Sequence, residues 1–227
     1  MKKGLLFAVC CISLSPYLQI QAQPGNESPI PYYRYALSAG VGPAYMYGDL
    51  QKKHLGGGVF LRGDYFLRHG LSIGLEANQG VTRSGDQHDV AVYPVSIFFF
   101  SGLFNGRIYP LQFIQSDHDR RIMYRKSYLQ KAINTAYVGA GVGAVFNLTT
   151  SDEVETYNNG HLLSSFFHTD IGLDLPLSKY DPQMMDTFFW YVCLNAQLNF
   201  ATNRGMDGFG EERDRYGLFS VGFKLKL

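Results

Sequence analysis

From Tyr33 onward, apolar and polar residues alternate with a period of two, in segments of roughly 10–15 residues separated by turn chemistry. The C-terminal segment is the clearest. Phe219, Val221, Phe223, Leu225 and Leu227 share one face, and Ser220, Gly222, Lys224 and Lys226 the other. Segment 186–201 sets Trp190, Val192, Leu194, Ala196 and Leu198 against Asn195, Gln197 and Asn199. Segment 162–177 sets Leu163, Phe167, Ile171 and Leu175 against His168, Asp170 and Asp174. In 135–148, Val138, Val142 and Phe146 oppose Gly139, Gly141 and Gly143. The same rhythm runs through 34–47, 58–68 and 71–82, with Arg34, Ser38, Arg62, Asp64, Glu76 and Asn78 on the polar face. Segment 89–101 is less regular and ends in Phe98-Phe99-Phe100. The pattern predicts an all-β fold of eight strands.

Alternation alone does not say which face meets water. A soluble antiparallel barrel of the lipocalin kind would turn a Lys- and Glu-rich face outward. Here the polar face is Gly, Ser, Asn and Gln with a few charges of both signs. Such a face suits a cramped interior better than a solvated surface. The apolar face runs the length of each strand, and about 9–11 tilted residues cross a bilayer. Hydrocarbon cannot satisfy free backbone groups, so the sheet must close. The leading expectation is a closed, antiparallel, up-and-down transmembrane β-barrel with greasy side chains outside. Its lumen would hold a polar network of Arg62, Asp64, Glu76, His168, Asp170, Asp174, Asn195, Gln197 and Lys224, with Arg34 a further candidate. Eight strands enclose a space that side chains just fill, so a plug of salt bridges is expected rather than an open pore.

Connection lengths fit. With the N-terminus periplasmic, Arg68-His69-Gly70 is a tight turn and Ser178–Met185 a longer one at that end. Residues 48–57, 83–88, 149–161 and 202–214 gather at the other end as longer polar loops, the usual asymmetry. Tyr32, Tyr33, Tyr45, Tyr47, Phe188, Trp190, Tyr191 and Tyr216 lie near strand ends, as interfacial girdles would, with core aromatics the competing reading.

Residues 102–133 resist. Asn105-Gly106 is a two-residue hairpin signal that would raise the count to ten strands. Arg120, Arg121, Arg125, Lys126 and Lys131 argue against a spanning strand, since a lipid-facing midplane Arg or Lys costs roughly 2–4 kcal/mol. A helix carrying Ile122, Leu129 and Ile133 on one side, near the periplasmic headgroups, is one alternative, and a solvated loop or helix is the other.

Composition agrees with this picture. Only 17% of the 227 residues are charged, while 15% are aromatic and 25 are glycine. A soluble domain averages about 25% charged. The formal net charge of +1, without a basic run, gives no electrostatic footing for nucleic acid. Residues 1–22 have a basic start at Lys2 and Lys3 and an apolar stretch to Leu18, as in a cleaved signal peptide ending Ile20-Gln21-Ala22. Cys10 follows Val9 too early for a lipoprotein site. Residues 23–32 read as a periplasmic leader and 33–227 as the barrel, which keeps Cys193 as its only cysteine and so no internal disulfide.

On "AYMYGDL" at 44–50, "YVGAGVGAVF" at 137–146 and the terminal "YGLFSVGFKLKL", the chain resembles the small outer-membrane β-barrels of Gram-negative bacteria, the OmpA- and OmpX-type class. The resemblance spans nearly all of residues 33–227. It implies a monomer in the outer membrane, in contact with its lipids and lipopolysaccharide. Members usually end in an aromatic residue, whereas this chain ends in Leu227. Their roles run from tethers and adhesins to small pores and lipid-modifying enzymes, so shape does not settle function.

Candidate chemistry is thin. Ser164, His168 and Asp170 share one face, but side chains two apart on a strand stand about 7 Å apart. A polar network is expected there rather than a catalytic triad. Asp117-His118-Asp119 is too local to aim at one ion, and His54, His69, His88 and His161 are scattered. Calcium on Asp152, Glu153 and Glu155 is the one metal reading left open. "GAGVGA" at 139–144 lacks the strand-turn-helix context of a dinucleotide fingerprint. The expectation is therefore a structural or surface-interaction protein without catalytic residues, cofactor or metal, presenting its loops to a partner. A narrow transport pore and, less favoured, a lipid-modifying barrel are the alternatives.

Overall fold

The computed structural model describes residues 33–47, 55–84, 95–116, 126–151, 161–177, 189–202 and 215–227. Residues 1–32, on which the signal-peptide and leader readings fall, lie outside them.

Eight strands form: β1 Tyr35–Tyr47, β2 Leu55–Arg68, β3 Leu71–Ser84, β4 Val95–Ile108, β5 Tyr137–Ser151, β6 His161–Pro176, β7 Phe189–Ala201 and β8 Arg215–Lys226. Two short helices, α1 Pro110–Ile114 and α2 Tyr128–Ile133, lie between β4 and β5. Each strand pairs antiparallel with its sequence neighbours, and β8 returns to β1, so the sheet is a closed up-and-down barrel. The seam is made by pairs such as Leu37 with Leu225 and Val41 with Val221. Beyond them, the Tyr35 and Leu227 backbones exchange hydrogen bonds of 3.2 and 2.8 Å. Leu227 thus takes part in closing the wall.

The polarity is inverted relative to a soluble protein. Leu75 is 68% exposed while its neighbour Glu76 is buried, and Leu163 is 70% exposed beside buried Ser164. The same alternation holds for Leu61 against Arg62 and for Phe223 against Lys224. A wall of exposed Leu, Val, Ile and Phe this continuous is stable only against hydrocarbon. Strands of 12 to 16 residues exceed the span a bilayer needs, so their ends project beyond the apolar band.

The tight turn between β2 and β3 is His69-Gly70, where Gly70 adopts φ 79° and a bulge sits between Phe66 and Arg68. The expected end of the fourth strand is corrected. Asn105-Gly106 is not a hairpin but continuous strand, with Asn105 opposite Gly74 on β3 and Gly141 on β5. Two flanking ladders satisfy that backbone, and they outweigh the local turn preference. In the 102–133 region, 128–133 is helical, with Leu129 and Ile133 exposed. Ile122 and Arg120–Arg125 lie outside the described residues.

Candidate functional site

The candidate site is the barrel interior, and it is filled in two layers. The layer near the chain termini is ionic. All nine lumen candidates are buried inside the wall: Arg62 and Asp64 on β2, Glu76 on β3, His168, Asp170 and Asp174 on β6, Asn195 and Gln197 on β7, and Lys224 on β8. Arg34 is corrected: it precedes the first ladder pair and is exposed. Its carbonyl still accepts from Phe66 N on β2 at 2.8 Å, but its side chain lies one residue before β1 and is turned out of the lumen.

Arg62 is the hub. Its Nε donates to Asp64 Oδ1 at 2.7 Å, its Nη2 meets the same oxygen, and its Nη1 donates to Glu76 Oε2 at 3.3 Å. Gln197 Nε2 donates to the other Glu76 oxygen at 2.6 Å. Lys224 Nζ donates to Asp174 Oδ2 at 2.7 Å and to the Tyr109 hydroxyl at 2.9 Å, and lies 3.9 Å from Asp64 Oδ2. Burial first, and the nearby Asp174 second, push the Tyr109 phenol well above its ordinary value, so it stays neutral as an acceptor. Asn195 points inward, but no hydrogen bond ties it to this network.

Arg107 on β4 is not among the sequence candidates, because the segment read as 89–101 leaves it in the connection that follows, whereas β4 runs on to Ile108. Its Nε and Nη2 grip Asp170 Oδ2 at 2.6 and 2.5 Å, and Nη2 lies 3.6 Å from Glu76. Arg107 also stacks on the Tyr137 ring, 4.4 Å from its centroid. Lys226, 4.7 Å from the Tyr191 ring centroid and 5.0 Å from that of Phe66, completes this end. Among the described residues, four buried cations (Arg62, Arg107, Lys224, Lys226) face four buried carboxylates (Asp64, Glu76, Asp170, Asp174). Balance of this kind is what a low-dielectric interior requires, since an unpaired buried charge is strongly disfavoured.

The layer toward the loop end is apolar. Phe99, Leu103, Val145, Phe166, Tyr216 and Leu218 are buried together. Tyr216 packs against Phe99 and Phe166 with ring centroids 5.3 and 5.7 Å away, and its hydroxyl meets Ser101 Oγ at 3.1 Å. Tyr191 and Tyr216 are therefore lumen residues rather than girdle residues, whereas Tyr45 and Trp190 face outward. Inward glycines on β5 make both layers possible. A Cβ at Gly143 would stand 2.6 Å from the Phe166 ring, and one at Gly139 would collide with the Asp170 carboxylate. Large side chains lie flat across these bare backbones.

No triad forms at Ser164, His168 and Asp170. His168 Nδ1 pairs with Asn199 Oδ1 at 2.8 Å, its Nε2 stands 3.8 Å from Asp170, and that carboxylate is held by Arg107. A base oriented for a serine would need the carboxylate for itself. Among the described residues no cluster of His, Cys, Asp and Glu is arranged to hold a metal. Asp117-His118-Asp119, His54, His88 and Asp152, Glu153 and Glu155 lie outside those residues.

No protein-family model matches the chain, and no curated protein does. Among solved structures it is similar to neisserial surface protein A, at 10% identity and TM-score 0.43, over 85% of this chain and 97% of that one. It is also similar to Ail, the attachment invasion locus protein of Yersinia pestis, at 11% and 0.43, over 86% and 99%. The outer membrane protein OprG from Pseudomonas aeruginosa matches at 12% and 0.44, over 87% and 98%. At such identity the likeness carries no functional information. The ladder register, the greasy exterior and the charged interior stand on their own: this chain forms a small, closed, eight-strand antiparallel β-barrel whose apolar wall is suited to a lipid bilayer.

Proposed function

We propose that the protein is a structural or surface-interaction barrel, a rigid membrane-embedded frame that presents segments 48–57, 149–161 and 202–214 outside the outer membrane. The observation that carries this reading is the filled lumen. An ion-pair network backed by an aromatic layer leaves the interior doing the work of a core rather than of a conduit. Function then falls to the loops. Segment 202–214 mixes Arg204, Asp207, Glu211, Glu212, Arg213 and Asp214 with Phe209, a composition suited to lipopolysaccharide or a protein partner. The barrel acts as a monomer, reaches its membrane by a cleaved signal peptide over 1–22, and carries no catalytic residue or cofactor.

Planar-bilayer recording tests this directly. Reconstituted protein is expected to give no steady conductance, and a large, steady one would favour the transport reading instead. Lipid A mass spectrometry of a deletion strain tests the enzymatic alternative, with an unchanged spectrum expected.

A further inference from the structure

The described parts of the connection between β4 and β5, residues 109–116 and 126–136, are built inside out, as the barrel wall is. Gln112, Gln115, Asn134 and Thr135 spend their side chains on tying these parts together and to the rim. Gln112 Nε2 donates to the Asn134 carbonyl at 3.1 Å, and Gln115 Nε2 to Asn134 Oδ1 at 2.5 Å. Thr135 Oγ1 binds the Ala132 carbonyl at 2.6 Å and the Asp174 backbone of β6. Ser127 and Gln130 form a reciprocal capping box that starts α2. On the neighbouring side α1 is pressed onto the β2–β3 turn. Tyr109 N donates to the Gly70 carbonyl at 2.8 Å, a Cβ at Gly70 would stand 2.7 Å from Phe113 N, and the Arg68 guanidinium lies 3.8 Å from the Phe113 ring centroid.

The apolar side chains point the other way. Ile114 is 76% exposed and Leu129 67%, with Leu111, Phe113 and Ile133 also open. Helix α1 buries nothing, and α2 buries only Ala132. A solvated connection would bury its leucines and isoleucines and turn its glutamines out. This surface also continues from the lipid-facing wall, because Ile108, the last residue of β4, is exposed immediately before α1. Lys126 and Lys131 flank and punctuate α2.

We propose that residues 109–116 and 126–136 form a membrane-interface collar, with Phe113, Ile114, Leu129 and Ile133 seated at the acyl–headgroup boundary and Lys126 and Lys131 drawn to anionic headgroups. The occupant is lipid rather than protein, because the patch is an extension of a surface already in lipid.

The sequence has a single tryptophan, Trp190, so a Trp190→Phe background permits one-site fluorescence. Full-length protein carrying Leu129→Trp or Ile114→Trp is reconstituted in phosphatidylcholine vesicles brominated near the headgroup, its folding verified by heat-dependent gel mobility. Bromine quenching with protection from iodide is expected at both positions. Iodide quenching without bromine quenching, or quenching by neither agent, would overturn the collar. The second site keeps the test valid should one variant misfold. Adding phosphatidylglycerol probes the lysines. Lys126→Gln with Lys131→Gln is expected to lower the lipid-seated population about five-fold per lysine in anionic vesicles only, and an equal effect in both lipids would remove their attraction to anionic headgroups.

Discussion

The two halves of the lumen solve one packing problem by opposite chemistry. Near the loops, Phe99, Phe166, Tyr216 and Leu218 fill space by shape. Near the termini, Arg62, Arg107 and Lys224 fill it by pairing with Asp64, Glu76, Asp170 and Asp174. The first half tolerates a missing atom group as a cavity, and its cost scales with the void. The second tolerates loss only when charge stays balanced, because each carboxylate shares its partners with another. Eight strands give both halves the same narrow bore, so the difference lies in the side chains alone.

The largest expected effect is at the ionic hub. Arg62→Met strands Asp64 and Glu76, and is expected to cost about 3–5 kcal/mol in denaturant unfolding of the reconstituted barrel. Adding Asp64→Asn should recover part of that loss, and a fully additive double variant would show that the pair is not coupled. In the aromatic half, Phe166→Ala is expected to cost about 3 kcal/mol and to add to Arg62→Met within about 0.5 kcal/mol. Strong coupling would mean the two layers act as one unit.

The glycine stripe of β5 sharpens the contrast, because it runs under both halves. Gly143→Ala presses on the Phe166 ring and the Gly102 carbonyl and is expected to cost about 1–3 kcal/mol. Gly139→Ala displaces Asp170 from Arg107 and should cost more, so the reverse order would contradict the ionic reading. The smallest effect is Tyr216→Phe, which removes only the hydrogen bond to Ser101 and is expected to cost about 0.5–1.5 kcal/mol.

Much of this was legible because a strand's side-chain period is two and the lumen is one face of it. Arg62 and Asp64, Asp170 and Asp174, and Asn195 and Gln197 declare themselves by parity. Tyr191 and Tyr216 share the parity of Asn195 and Lys224, so counting by two would have placed them inside. Their position near strand ends suggested a girdle instead. Arg107 was hidden by a different failure, since the segment read as 89–101 stops short of it. Asn-Gly is a strong local turn signal, but two neighbouring ladders hold that backbone extended, and tertiary pairing is invisible locally. Arg34 shows the converse, since its carbonyl is still bonded to Phe66 N while its side chain, one residue before β1, no longer follows the parity of the strand. The pairing of one charge with another across the lumen depends on barrel register, which no single strand encodes.

Central to this account is that apolar positions face acyl chains while polar ones are sealed inside. A nitroxide scan along β6 in bilayers, in a Cys193→Ser background, reads it most directly. Leu163, Phe167 and Ile171 are expected to be open to dissolved oxygen, with Ser164, His168 and Asp170 shielded from oxygen and from a water-soluble nickel chelate, in strict alternation. Shielded labels at Leu163 and Phe167, with His168 and Asp170 open to the chelate, would contradict it.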